Sequence, residues 1–361
     1  MVVLLELAFT AIFKSRIRRV LESLNLLSTE VALVCELLRI VETGQFSSPK
    51  LASFSAMLKS GGVPASELSG KLYRLLRLLY ERDNDFFAPI SWCLLWGSQF
   101  SMAIDRWRRR YGDEMLKWLA VLGEFEALIS VGTYANEHPE DAMPEIVSAG
   151  QPLFEAEELG HPLLARDVCV RNDIHLTENA RFVVISGSNM SGKSTFLRAI
   201  GVNAVLAWMG APVCCKSLRI SELFVGTSIR VADSLLDGRS HFFAEMQRLR
   251  RMIDCADQGP LLFLADEIMS GTNSHDRRIA AEWVIRALVA RNAIGLITTH
   301  DLALTEIASS GLPGKNAYFE DTGEAGHLIF DYKLRPGILT HSNALNIAHA
   351  LGIDTTALQS K

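Results

Sequence analysis

The segment Gly187–Ser194, GSNMSGKS, decides the fold class of the second half of the chain. It matches the phosphate-binding pattern G-x-x-x-x-G-K-[ST] at every required position. A run of β-forming residues, RFVVIS (181–186), precedes it, and a helical run, TFLRAIGVNAVLAW (195–208), follows it. Glycine lets such a loop curl with its N–H groups pointing inward, so this context predicts an anion cradle at a helix N-terminus. We expect Lys193 to reach the β- and γ-phosphates of a nucleotide, and the Ser194 hydroxyl to coordinate Mg²⁺.

Two further apolar runs end in polar residues suited to the same chemistry. PLLFLADE (260–267) ends in Asp266 and Glu267, and GLITTH (295–300) ends in His300. In a phosphate-binding-loop protein, an acid at the end of a neighbouring strand holds Mg²⁺, which assigns that role to Asp266. Glu267 is then placed to polarise the attacking water, and His300 to contact the γ-phosphate or that water.

The composition is that of a folded protein. Of the 361 residues, 49% are hydrophobic and 21% are charged, which excludes an intrinsically disordered chain. The net charge of -5 gives no support for a strongly basic nucleic-acid binder, although a local basic patch remains compatible with it. The six cysteines show no zinc-site spacing. The adjacent pair Cys214–Cys215 is either a redox site or a pair of buried thiols, and the burial habit of cysteine favours the second interpretation.

The pattern of the chain changes near its middle. Leucine recurs at helical spacing in the first part, and Gly112–His138 is expected to form a long helix with an apolar stripe at spacings of three, from Leu116 to Leu128. After an acidic, proline-containing passage, short β-like runs alternate with helices, which favours a largely parallel sheet covered on both faces. We therefore predict an all-α domain over residues 1–150, and an α/β P-loop NTPase domain of the ATP-binding-cassette type over residues 151–361.

One segment could in principle span a membrane. Phe86–Ile104 carries no charged residue and is long enough for a membrane-spanning helix. Its proline, glycine, glutamine and serine residues lower its mean hydropathy, and these favour a buried helix. We expect a cytoplasmic protein, with membrane association as the minor alternative.

The order of the three strand-end motifs is that of ATP-binding-cassette domains, which complete each site with a signature segment from a second copy. The transporter signature LSGGQ does not occur here. The interval between the phosphate-binding loop and the DE segment instead holds DSLLDGRSHFFAEMQRLRRMI (233–253). A transporter-type cassette is therefore disfavoured.

Taken together, these motifs resemble the MutS family of DNA mismatch-repair ATPases. The family's loop GxNMxGKST matches Gly187, Ser188, Asn189, Met190, Ser191, Gly192, Lys193, Ser194 and Thr195. The signature S-x-F-x-x-E-M matches Ser240–Met246, the DEI-x-x-GT segment matches Asp266–Thr272, and the T-H pair matches Thr299–His300. This combination is far more specific than any one of its parts.

The resemblance implies an ATPase that uses ATP and Mg²⁺ and works as a homodimer, with the two ATPase domains packed head to tail. Ser240 would then approach the γ-phosphate bound by the partner subunit, and Asn189 would lie near the phosphates of its own subunit. The stretch from Asn273 to Asp276 would lie along the interface. DNA is the partner that the resemblance implies, together with other repair proteins.

Upstream of the ATPase match, residues 107–146 resemble the end of the family's helical core. We find no amino-terminal mismatch-reading domain with an F-x-E motif, and the chain has too few residues for a full lever and clamp. We therefore expect a short MutS-related protein or the carboxyl-terminal part of a longer one. The basic cluster DRWRRRYGD (105–113) is a candidate DNA contact or a solvated helix face. The alternative function is an ATP-gated dimerisation or membrane-tethered scaffold that does not recognise mismatches.

Overall fold

The computed structural model of the chain describes residues 27–80, 96–148, 150–188, 190–229, 241–269, 274–324 and 327–339. The chain divides into two compact units, Met1–Ser130 and Val131–Lys361. This division falls inside one long helix, and the domain boundary after residue 150 stays a prediction.

In the first unit, the described residues form helices and one very short hairpin. These elements are α1 (Leu27–Thr43), α2 (Pro49–Met57), β1 (Lys59–Ser60), β2 (Val63–Pro64), α3 (Ala65–Tyr80) and the first part of α4 (Trp96–Glu137). Their core includes Phe54 and Trp118, both fully buried. Trp107 also packs there, and its Nε1 donates a hydrogen bond of 2.9 Å to the carbonyl of Leu68, which satisfies the indole N–H inside an apolar cluster.

The helix predicted over Gly112–His138 is the second half of α4, but its apolar stripe is not continuous. Phe125 is buried, whereas Leu116 and Leu119 are exposed. A spacing of three residues turns only about 300° around a helix, so successive members rotate away from the core. Trp118, which lies off that spacing, is the fully buried residue instead.

Residues 86–95 of the uncharged segment from Phe86 to Ile104 lie outside the described part of the chain, and the rest of the segment belongs to α4. In the ranges that the structure covers, no helix combines the length and apolar character needed to cross a bilayer.

The second unit is a mixed α/β structure, as the sequence predicts. Its elements are β3 (Glu145–Ile146), β4 (Phe154–Leu159), β5 (Asn172–Leu176), β6 (Phe182–Ser186), α5 (Lys193–Trp208), β7 (Ser217–Ile220), β8 (Phe224–Ser228), α6 (His241–Ala256), β9 (Leu261–Ala265), α7 (Ser274–Ala290), β10 (Ile294–Thr299), a 3₁₀ helix (Leu302–Ser309), β11 (Gly314–Glu324) and β12 (His327–Pro336).

The larger sheet formed by these described strands has the order β12-β11-β6-β10-β9-β8. Every neighbouring pair is parallel except β11 and β12, which are antiparallel. Strands β6, β9 and β10 are buried along their whole length, as expected for a sheet covered on both faces. Because β6, β10 and β9 are parallel neighbours, their carboxyl ends meet at one edge of the sheet.

A second sheet, with the order β3-β7-β4-β5, was not predicted. Its strands are short, and buried and exposed residues alternate in β5 and β7. This period of two in NDIHL and SLRI is the sequence signal for a half-buried strand, and it spans too few residues to be distinctive. One face of the larger sheet and this second sheet share a core with α5.

Gly295, the second residue of β10, allows β10 to lie close to β9 in the larger sheet. A methyl group at this position would lie 2.0 Å from the carbonyl oxygen of Phe263 on β9. We therefore expect Gly295→Ala to lower the free energy of unfolding of this unit by about 1–3 kcal/mol or more, because a buried strand must shift to admit it. Chemical denaturation followed by circular dichroism measures the change.

Gly132→Ala is the matched control. Gly132 lies in α4 of the same unit, and no atom lies within 4 Å of the added methyl group. Here alanine is expected to stabilise the helix by about 0.5–1 kcal/mol. Equal effects of the two substitutions would mean that the close contact between β9 and β10 does not exist.

Candidate functional site

The segment GSNMSGKS connects the end of β6 to the start of α5, as predicted. Gly187 and Gly192 have φ values of 155° and 100°, and Met190 has a φ of 72°. Gly192 also lies against the ring of Tyr332, whose Cδ1 would be 3.0 Å from an added methyl group. A glycine-containing loop that leads directly into a helix N-terminus favours an anion there.

Lys193 is the first residue of α5, and its side chain is almost completely buried. The ammonium group donates hydrogen bonds to the carbonyls of Gly187 (2.9 Å) and Ser188 (2.7 Å). It also lies 3.4 Å from Glu267 Oε1, which partly compensates its charge. The lysine side chain is therefore held against the loop that precedes it.

Asp266 follows β9, and it accepts two hydrogen bonds on one carboxylate oxygen. Ser194 Oγ donates to Asp266 Oδ1 over 3.0 Å, and Thr298 Oγ1 donates to the same atom over 2.7 Å. The structure thus brings together the two residues predicted as metal ligands, Ser194 and Asp266, although they are far apart in sequence. Thr298, at the end of β10, was not among the predicted residues.

Glu267 and His300 meet at the same edge of the sheet. His300 Nδ1 lies 2.5 Å from Glu267 Oε2, and the Glu267 backbone N–H donates to Thr298 Oγ1 over 2.9 Å. Thr298 therefore connects the two acidic residues, because it donates to Asp266 and accepts from Glu267. A hydroxyl at the end of a buried apolar strand is the signal in the sequence that identifies it.

The side chains at this edge of the sheet suit both Mg²⁺ and phosphate. The hydroxyl of Ser194 and the carboxylate of Asp266 are hard oxygen ligands of the kind that Mg²⁺ prefers. Within the described part of the chain, the buried hydroxyls of Ser188 and Ser191 have no hydrogen-bond partner. Buried polar atoms are usually satisfied, so two such hydroxyls in one loop, beside a buried lysine, suit an anionic ligand.

A cavity of about 520 Å³ adjoins this loop. On the loop side it is lined by Met190 and by residues 192–196. His161, Cys169 and Tyr332 also line it. Its volume falls in the range of small-molecule sites, and its position allows a ligand whose phosphates lie on the loop to extend into it.

The rim of the cavity is fixed by hydrogen bonds that the sequence does not reveal. Asn172 at the start of β5 donates to the carbonyl of Tyr332 (3.0 Å) and accepts from the N–H of Leu334 (2.8 Å). His161 Nδ1 accepts a hydrogen bond of 3.2 Å from the N–H of Leu163. Burial, with a smaller contribution from the positive charge of Arg198, lowers the pKa of His161, so a neutral imidazole faces the cavity at pH 7.

Two predicted site residues lie outside the described part of the chain. These are Asn189 in the phosphate-binding loop and Ser240 of the signature match. The described remainder of that match lies at the start of α6. Residues 270–273, which hold the end of the DEI-x-x-GT segment and Asn273, are also outside it.

The adjacent cysteines are buried thiols, as the sequence favours. Cys214 and Cys215 are both free and lie just before β7. Burial raises the pKa of Cys214 and raises that of Cys215 to about 12. A thiol that is protonated at physiological pH is a poor nucleophile and a poor metal ligand.

The basic cluster lies on α4 in the first unit. Asp105 is buried, and it accepts hydrogen bonds from Arg108 (3.3 Å) and Arg109 (2.8 Å), whose side chains are otherwise exposed. Arg106 and Arg110 are exposed as well. The buried carboxylate of Asp105 thus orients Arg108 and Arg109, two of the four exposed arginines in this cluster.

Comparisons with known proteins place these features in one family. The family described as MutS domain V matches residues 183–360. The chain is 29% identical to the DNA mismatch repair protein MutS of Staphylococcus saprophyticus over 250 residues, which are 66% of this chain and 27% of that protein. It is 31% identical to the DNA mismatch repair protein MutS of Thermus aquaticus over 294 residues, which are 80% of this chain and 33% of that protein. The chain therefore spans about a third or less of the length of these relatives.

Proposed function

The chain belongs to the MutS family, and from this premise we propose that it is a Mg²⁺-dependent ATPase that acts as an ATP-gated dimer in DNA mismatch repair or related DNA metabolism. One observation carries the proposal. Five side chains converge at the carboxyl ends of β6, β9 and β10, which are parallel neighbours in one sheet. They are those of Lys193, Ser194, Asp266, Glu267 and His300.

Each of these side chains has a place in ATP hydrolysis. Lys193 and the N–H groups of the loop hold the β- and γ-phosphates, and the cavity receives the remainder of the nucleotide. Ser194 and Asp266 hold Mg²⁺, which neutralises phosphate charge when it is bound. Thr298 keeps the Asp266 carboxylate oriented through its 2.7 Å hydrogen bond.

Glu267 is the base in this scheme. Its Oε2 pairs with His300 Nδ1, and its Oε1 faces the Lys193 ammonium. The carboxylate accepts a proton from the attacking water, and His300 orients the carboxylate and contacts the γ-phosphate.

Dimerisation and DNA binding rest on family membership together with surface chemistry. In the proposed dimer, each ATPase domain lends the segment that includes Ser240 to the partner's nucleotide. DNA is proposed as the partner of the helical half, since the relatives are DNA mismatch repair proteins. The exposed arginines held by Asp105 supply positive charge suited to phosphate contacts.

ATP turnover with and without DNA tests this proposal. Purified protein is assayed alone and with homoduplex, mismatched and branched DNA, at about 50 mM and about 200 mM salt. We expect turnover to increase with DNA, and the stimulation to fade at the higher salt because phosphate contacts release counterions. If no DNA changes the rate of ATP turnover, the assignment as an ATPase stands and the scaffold alternative is favoured.

The double variant Arg108→Gln/Arg109→Gln tests whether the proposed DNA contact lies on α4. If α4 binds phosphates, the variant reduces the slope of log affinity against log salt by about 2 and keeps the turnover measured without DNA. Arg166→Gln is the matched control, because Arg166 is a partly exposed arginine that already pairs with Glu140 and Asp141.

A further inference from the structure

The backbone after β9 adopts a conformation that is unusual for its residues. Glu267 has a φ of 51° and Met269 has a φ of 58°, and neither is a glycine. A left-handed conformation costs a non-glycine residue about 1–3 kcal/mol and persists where the surroundings enforce it. Two such residues in three positions, one of them the proposed base, require contacts that hold the segment in place.

Contacts from two helices supply that constraint at Met269. Its N–H donates a hydrogen bond of 2.7 Å to Glu245 Oε1, from α6. Its carbonyl accepts one of 3.1 Å from Arg277 Nε, from α7. Glu245 and Met269 are buried, and Arg277 is nearly so. Both bonds involve a charged partner, so they are of the stronger kind, and they fix the two polar groups of one residue.

Arg277 also reaches the loop that carries His300. Its guanidinium lies 3.5 Å from Asp301 Oδ2, and Asp301 Oδ1 accepts a hydrogen bond of 3.0 Å from the N–H of Ala303 at the start of the 3₁₀ helix. Arg277 thus contacts the backbone two residues after Glu267 and the side chain directly after His300. Glu267 and His300 are themselves in contact, with 2.5 Å between Glu267 Oε2 and His300 Nδ1.

We propose that Arg277, together with Glu245, is a positioning residue that holds Glu267 and His300 in register for hydrolysis. The proposal rests on the proposed ATPase function. Arg277 acts through the backbone of Met269 and through Asp301, and it does not line the cavity beside the phosphate-binding loop. If the guanidinium is removed, Met269 relaxes toward an ordinary backbone conformation, and the Glu267 carboxylate turns away from His300 and the loop.

The test compares Arg277→Met and Arg277→Lys with Arg278→Met. Arg278 is the neighbouring arginine on α7, and its ion pairs with Glu282 and Glu306 are long, at 3.9 and 4.0 Å. We expect Arg277→Met to lower the single-turnover rate of ATP hydrolysis by about 10- to 100-fold, since a displacement of about 1 Å has an effect of this size. The Kd for ATP is expected to change by less than about twofold.

Lysine at this position retains the charge and loses the planar fork of donors, so Arg277→Lys is expected to show an intermediate rate. Arg278→Met is expected to hydrolyse ATP at the wild-type rate. The separation of rate from affinity is the discriminating result, because a general loss of structure would weaken nucleotide binding as well.

Hydrogen exchange measured by mass spectrometry on peptides that span Glu267 and Met269 gives a readout that does not depend on activity. Arg277→Met is expected to speed exchange of these amides by at least about tenfold relative to Arg278→Met. If exchange and turnover are both unchanged, the positioning role is wrong and the ATPase stands. If the wild-type protein does not hydrolyse ATP, the proposed function fails, and the exchange rates alone decide whether Arg277 holds this segment.

Discussion

Replacing Glu267 by glutamine is expected to lower the rate of ATP hydrolysis by about 10²- to 10⁴-fold, the usual contribution of a general base. The amide has nearly the same shape as the carboxylate, but it cannot accept a proton from water. Because Lys193 still contacts the loop carbonyls and Ser194 still contacts Asp266, the Kd for ATP should change little. Single-turnover phosphate release and equilibrium nucleotide binding measure the two quantities.

Glu306→Gln is the matched control for this substitution. The Glu306 side chain is 72% exposed, and its contact with Arg278 is 4.0 Å long, so we expect wild-type turnover from this variant. If Glu267→Gln also turned over at the wild-type rate, Glu267 would not be the base. A second carboxylate would then have to be sought within reach of the phosphate-binding loop.

Replacing Lys193 by methionine is expected to weaken ATP binding by about 10- to 100-fold or more. A hydrogen bond to a charged group contributes about 1.5–3 kcal/mol, and Lys193 is a buried cation that contacts the loop. Thermal unfolding with and without Mg²⁺ and ATP measures the effect. Wild-type protein should gain about 2.7 kcal/mol at a hundredfold excess of nucleotide over its Kd, and the variant should gain far less at the same concentration.

Lys216→Met controls for the loss of a lysine as such. The Lys216 side chain is 64% exposed, and its contacts with Glu157 and Glu158 are 3.8 and 3.7 Å long. This variant should be stabilised by nucleotide as much as the wild type. Equal stabilisation of the Lys193→Met variant would place the nucleotide elsewhere.

The sequence predicts the part of the site whose chemistry is local. GSNMSGKS specifies its own turn and helix start, and the apolar runs before Asp266 and His300 predict buried strands. Parallel strands of one sheet end at a common edge, so these motifs could be brought together without a structure. The contact between Ser194 and Asp266 follows from that reasoning.

The sequence does not predict contacts made across the fold by residues without a motif. Arg277 and Glu245 each hold one atom of the Met269 backbone, and nothing in their spacing indicates a common target. Asn172 fixes Tyr332 from the second sheet, whose strands are too short for a distinctive alternation. Such positions depend on how helices and sheets pack, which a single sequence specifies only through the whole fold.

The measurement that tests the central claim most directly is phosphate release from ATP by the purified protein, with Mg²⁺ and with EDTA, in the wild type and in the Asp266→Asn variant. Asp266 and Ser194 hold the metal in this account, so we predict release with Mg²⁺, none with EDTA, and a loss of Mg²⁺-dependent release in the variant. Release that is equal with Mg²⁺ and EDTA, or unaffected by Asp266→Asn, would contradict the assignment of this site as a metal-dependent ATPase centre.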